Sequence, residues 1–352
     1  LKFSVLSLIG NAPHPLTGER VPAAERLADV VEVAVAAERL GFDAVAVGER
    51  HAGDFLSSSP GVVLAAIAAR TSRVRLLTGV TVLSVLDPVR VAEEYATLDQ
   101  LSRGRLEVVI GKGSEAGHFG LYGLDEDRQW DYLAEKYGLL RRLWREENVT
   151  WSGEFRPPLA GVTTVPRPFA GPPRVWHGSA TSEISTELAA RHGDPLFTAN
   201  AVQPREAYVR LVDHYRQRYA DHGHDPAHAY LGAGSGGLYL EDTTERAIAR
   251  YGPLYEARVR QTFKPELVGK PGYNTPFQTI EDAVAHGPAL IGDPQRVIDK
   301  ILDFHVSYRH DLLSLTVDGL GLSRTEQIET LHRFAEEIAP TLRREAPTTL
   351  WA

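Results

Sequence analysis

The sequence predicts an α/β fold, a single (β/α)8 barrel of the TIM type, and three observations carry that reading. Short β-rich runs alternate with amphipathic helical runs along all 352 residues, a pattern that implies a parallel sheet with helical crossovers. Eight strand candidates can be marked out, the number that a closed barrel of this type needs. No Pro/Ser linker, internal repeat or low-complexity tract divides the chain. One domain over residues 1–352, with elaborated loops after strands 4 and 7, is therefore favoured over a doubly wound sheet.

The strands are expected at 2–9, 44–47, 74–83, 106–110, 174–177, 196–198, 229–240 and 312–317. Between the first two, residues 24–40 place Leu27, Val30, Val31, Ala34, Ala37 and Leu40 on one helical face. That helix should stop at Gly41, which tolerates the left-handed backbone of a C-terminal cap. Ser59 and Pro60 supply a cap and a first-turn proline for a helix running to Arg70, and Asp87 and Pro88 do the same for one that ends near Gly104. Two stretches, about 148–173 and 251–288, are rich in turn formers and breakers and are expected as insertions. Loops of that length usually serve binding.

Composition removes several classes of function. With 46 acidic and 38 basic residues the formal charge is -8, which disfavours nucleic acid as a partner. The chain has no cysteine, so disulfides, thiolate nucleophiles and Cys-ligated metals are excluded. The longest uncharged apolar run, 61–69, is too short to span a bilayer, so no membrane association is expected. The apolar run 3–9 is short for a signal peptide and lacks its cleavage pattern, so a cytoplasmic location is expected.

Two tempting motifs lack the right context. Gly232, Gly234 and Gly237 satisfy the GxGxxG dinucleotide pattern, but Leu238, Tyr239 and Leu240 continue as a strand where a helix must open toward the pyrophosphate. His214, His222, His224 and His228 cluster with Asp221 and Asp225, yet the stretch reads as a helix-ending turn, and no metal is expected. The stronger signals lie at strand C-termini, where such barrels build their sites. These are Gly48-Glu49-Arg50-His51 after strand two, Thr78-Gly79-Val80-Thr81 in strand three, Gly111-Lys112-Gly113 and then His118 to Gly123 after strand four, and the segment from His177 to Ser182 after strand five.

These residues resemble the bacterial luciferase-like flavin-dependent monooxygenases. The resemblance is carried by GERHAGDF, by TGVTVLSVLDPVRVAEEYATLDQLSRGRLEVVIGKG, by HFGLYG, by HGSATS and by the late VDGLG, and so covers nearly the whole chain. Its most specific part is 87–113. It implies a (β/α)8 barrel and FMN as cofactor, supplied in reduced form by a separate flavin reductase. A small organic substrate, oxygen and a homodimer are also implied.

Carried over residue by residue, Lys112 takes the place of a phosphate-side arginine. Gly178, Ser179, Ala180, Thr181 and Ser182 match the segment beside the flavin phosphate, where a helix start favours an anion. Thr78, Gly79 and Val80 match the segment that backs the isoalloxazine with a non-prolyl cis peptide, and Glu49 lies in the cofactor-binding stretch after strand two. The departures are informative. The family's catalytic histidine falls at Arg50, which cannot accept a proton near neutral pH, and His51 follows it. Its reactive cysteine falls at Gly111. Arg50 and His51 are the expected catalytic pair, Arg50 to stabilise negative charge with the larger effect and His51 for acid/base work. Two other readings remain: deazaflavin-dependent hydride transfer, for which no basic cluster beyond Lys112 is visible, and flavin binding without turnover.

Overall fold

The computed structural model describes residues 1–113, 117–180, 182–198, 205–268, 275–318 and 321–352. Its centre is a closed barrel of parallel strands. In chain order they are Lys2–Ser7, Ala44–Val47, Arg75–Thr78 with Thr81–Val82, Leu106–Gly111, Arg174–Ser179, Leu196–Thr198, Leu231–Gly234 and Leu312–Leu315. Each pairs with the next, and the last pairs with the first through Lys2 to Leu312 and Phe3 to Leu313. Helices and loops cross over between successive strands, so every strand is covered on its outer side.

Local sequence accounts for the start of most elements. The helix Ala23–Arg39 buries Val30, Val33, Ala34 and Ala37, and Gly41 beyond it has φ +83°. Asp87 accepts hydrogen bonds from the amides of Val89 and Arg90 to cap Pro88–Ser102. Ser59 makes no such bond. Pro60 at the first position sets the helix Pro60–Ala68 by its fixed φ instead.

Three segments depart from the expected pattern. The run 74–83 is not one strand, because the cis peptide Gly79-Val80 divides it. The run 229–240 also divides: Leu231–Gly234 stays in the barrel, whereas Leu238–Leu240 leaves it to pair with Leu290–Gly292 in a separate two-stranded sheet. Gly236 marks the bend, since a Cβ there would lie 3.2 Å from the backbone nitrogen of Ala289. In the stretch 251–288, residues up to Thr262 belong to the helix Thr244–Thr262, which runs through Pro253. Burial of Ala247, Tyr251 and Leu254 against the neighbouring helix and sheet outweighs that proline. The stretch 148–173 contains an antiparallel pair, Val149–Trp151 with Leu159–Val162.

The barrel interior is filled at its lower end by Ala44, Ala46, Leu77, Val109, Trp176, Leu312 and Leu350. Among the described residues no helix is long and apolar enough to cross a membrane.

Candidate active site

At the C-terminal rim the ends of strands two and three are locked together. The amide of Gly79 donates to Val47 O at 2.8 Å, and a Cβ on Gly48 would lie 2.8 Å from Gly79 O, so glycine is needed there. Val80 then projects over the mouth of the barrel. A methyl group on Gly178 would lie 2.8 Å from its Cγ1, and one on Gly111 would lie 3.1 Å from its Cγ2. Three strands thus place an apolar side chain on a bed of two glycines. This floor is what a flat aromatic ring needs behind it, and it explains why Gly111 carries no side chain, let alone a thiol.

Beside the floor sits a buried acid/base pair. Glu49 Oε1 lies 2.7 Å from His51 Nε2, and Glu49 Oε2 accepts from the Val82 amide at 2.9 Å. Both side chains are almost wholly buried. The sequence separates the two by one residue, so in a plain strand they share a face. Arg50 between them points elsewhere: its guanidinium lies 5.0 Å from the centre of the Phe55 ring, and its amide donates to Ser57 O.

The fourth rim segment contributes two residues to which the sequence attached no role. The Tyr122 hydroxyl lies 3.2 Å from His51 Nδ1 and 3.5 Å from its Nε2, against the imidazole rather than in line with either nitrogen, and His118 Nε2 accepts from the His51 amide at 3.4 Å. Both rings meet the imidazole of His51 edge to face, at 5.2 and 5.3 Å between centres. Burial, with the Glu49 charge behind it, raises the Tyr122 phenol above its ordinary value and keeps it protonated. The aromatic spacing of HFGLYG was the available signal. Its target, 71 residues upstream, was not.

The expected phosphate end is less unified. Ser179 is buried, and its hydroxyl donates to Ser182 O at 3.0 Å. The Ser182 hydroxyl accepts from the Ile184 amide, capping the helix Glu183–His192. Ala180 is exposed and Gly178 half-buried at the same strand end, whereas Thr181 lies outside the described residues. Lys112 points away from the barrel axis. Its ammonium donates to Gly113 O at 3.2 Å and lies 5.7 Å from the Trp130 ring, and burial lowers it from its ordinary value. Thr78 uses its hydroxyl within the barrel wall, donating to Val109 O and accepting from Val109 N.

The histidines of the turn near 222 go to separate partners. His222 bonds Glu187 at 2.8 Å, His224 packs on Tyr219 and His228 lies 3.6 Å from Asp225. Among the described residues no group of three or more metal-ligating side chains comes together.

The closed parallel barrel, with the buried Glu49–His51 pair at the C-terminal end of strand two, defines a barrel protein whose candidate site lies at that rim. The model of the luciferase-like monooxygenase family matches residues 1–310, and the chain belongs to that family. It is a flavin-dependent oxidoreductase. A limonene 1,2-monooxygenase of Rhodococcus erythropolis is 27% identical over 86% of this chain and 78% of its own length. The crystal structure of monooxygenase RslO1 from Streptomyces bottropensis superposes with a TM-score of 0.84 at 28% identity, covering 97% of this chain and 99% of that one. An F420-dependent glucose-6-phosphate dehydrogenase of Nakamurella multipartita is 32% identical, over 54% of this chain and 58% of its own.

Proposed function

We propose that this protein is the oxygenase of a two-component system, taking reduced FMN from a separate reductase and using oxygen to oxidise a small organic substrate. The observation that carries the reading is the floor made by Val80 on Gly111 and Gly178, next to the buried Glu49–His51 pair. A flat ring held against Val80 would have an acid/base pair nearby, and the helix start at Ser182 would suit an anionic phosphate.

Bound reduced flavin supplies the electrons that activate oxygen. The chain's own residues do the rest. Val80 and the two glycines orient the ring. Glu49 holds the His51 imidazole and keeps it ready to move a proton, and Arg50 places a fixed positive charge at the rim. Ser179, Ser182 and the helix start behind them would hold the phosphate, and Lys112, which rests against Trp130, would have to turn toward them to add its charge. The Gly-rich run at 232–237 leads into the strand Leu238–Leu240 rather than into a helix, so that motif does not offer a dinucleotide turn.

The test is titration of flavin-free protein with FMN and, separately, with a deazaflavin, the second cofactor being the one that the dehydrogenase relative favours. FMN should bind, and Lys112→Glu should weaken it by about tenfold or more. Pure protein with FMN and NADH or NADPH should not consume the nucleotide. Tight binding of the deazaflavin alone, or rapid nucleotide oxidation, would replace this reading.

A further inference from the structure

Val80, the floor residue, sits in a short segment that is held on both sides. Before it, the Gly79 amide donates to Val47 O at 2.8 Å, and the Thr78 hydroxyl bonds both the amide and the carbonyl of Val109. After it, Thr81 and Val82 pair with Ile110 and Gly111, and the Val82 amide donates to Glu49 Oε2 at 2.9 Å. Successive side chains of an extended backbone point to opposite sides. Val80 therefore faces the barrel mouth, against Gly111 and Gly178, while Thr81 faces outward into the helix layer. There its hydroxyl lies 2.7 Å from that of Tyr95, and both residues are buried.

Tyr95 belongs to the helix Pro88–Ser102. Behind its ring the helix Pro60–Ala68 contributes Gly61, where a Cβ would lie 3.3 Å from Tyr95 Cε1. Burial, with the Glu49 charge adding to it, raises the phenol above its ordinary value and keeps it protonated. We infer that Tyr95 is a positioning residue of this site: through Thr81 it fixes the height of Val80, and so the plane on which a flavin ring rests. The inference rests on the proposed flavin reading for the ring, and on the distances alone for the floor. The strand Thr81–Val82 is two residues long, so few backbone bonds locate it, and side-chain bonds to Thr81 and Val82 supply the rest. Because Glu49 holds both Val82 and His51, the floor and the acid/base pair share one anchor, and Tyr95 sets the floor from the opposite side of the barrel wall.

The experiment compares Tyr95→Phe with the double variant Tyr95→Phe/Thr81→Val. The single change leaves the Thr81 hydroxyl buried without its partner and should lower the melting temperature. The double change puts apolar groups of similar shape in both places and should restore it. A positioning role survives that repair. In both variants, methyl-labelled flavin-free protein should show weakened nuclear Overhauser contacts from the Val80 methyl groups to the α-protons of Gly111 and Gly178, and FMN affinity should fall by about fivefold. Val80 contacts of wild-type strength in the double variant, or an FMN affinity that recovers together with the melting temperature, would overturn the inference and leave the bond a matter of stability alone. Should Tyr95→Phe fail to fold, the double variant carries the same measurements. Should FMN fail to bind wild type, the cofactor reading falls while the Val80 contacts still judge Tyr95.

Discussion

Two buried carboxylates sit at opposite ends of one barrel, and their partners differ in kind. Glu107, near the start of strand four, accepts from the indole nitrogens of Trp176 and Trp351 at 2.7 and 2.6 Å, and the guanidinium groups of Arg75 and Arg174 lie 3.2 and 3.7 Å away. Every neighbour is a donor that keeps its proton near neutral pH, so the carboxylate is fixed and inert. Glu49, at the other end, meets one amide and one imidazole. An imidazole is a group that can gain or lose a proton, and the Tyr122 hydroxyl packs against its ring. Burial alone does not distinguish a functional carboxylate from a structural one. What distinguishes them is whether a partner can exchange a proton.

The sharpest way to break the comparison is to remove each carboxylate. Glu107→Ala should leave two indole N–H groups and two cations facing a void, lowering unfolding free energy by about 3 kcal/mol or more in urea titrations. Glu49→Gln retains an acceptor for Val82 and should destabilise far less, while flavin reoxidation on the protein slows by about a hundredfold. If Glu107→Ala unfolds normally and Glu49→Gln collapses the fold, the two ends have been read the wrong way round.

A smaller effect is expected at the floor. In Gly178→Ala the new Cβ would lie 2.8 Å from Val80 Cγ1, so Val80 must tilt upward, and FMN affinity should fall by about tenfold with little change in melting temperature. Arg50→Gln should cost less again than His51→Gln in the yield of coupled oxidation, because the Arg50 side chain lies against Phe55 whereas His51 is held between Glu49 and Tyr122. Hydrogen peroxide release measured in parallel gives the order, and a larger loss in Arg50→Gln would restore electrostatics as the dominant contribution.

The smallest effect concerns pH. Burial pushes His310 down to about 3 and His192 down to about 4, from an ordinary 6.5. Both are neutral in the folded protein, so the unfolded chain binds protons first as the solution is acidified. Their contribution to stability is complete above about pH 6.5 and is lost as the pH falls toward 4. Melting temperatures measured across that window should decline, and His310→Leu should flatten the decline. An unchanged slope would place the acid sensitivity elsewhere.

Much of this architecture is legible in the residues themselves. Alternating β-rich and amphipathic runs are a local property, and they determined eight barrel strands, the cap at Asp87 and the turn at Gly41. The Glu-x-His spacing put Glu49 and His51 on one side of a strand end, and the glycines at 79, 111 and 178 lie in the rim segments that the sequence singles out. Other features depend on contacts between distant positions, which no periodicity encodes. The run 229–240 is continuous in character, yet steric contact between Gly236 and the chain at Pro288 and Ala289 sends its second half into another sheet. Trp351 finds Glu107 across 244 residues, and Lys112 turns toward Trp130 because strand alternation puts it on the outer side of the barrel. Tyr122 reads as one more aromatic in a loop. Only the closing of the barrel, which brings the segment after strand four over the end of strand two, sets its hydroxyl against His51. Sequence patterns specify which face of an element is buried, but which side chains meet across that face is decided by the packing of the whole chain.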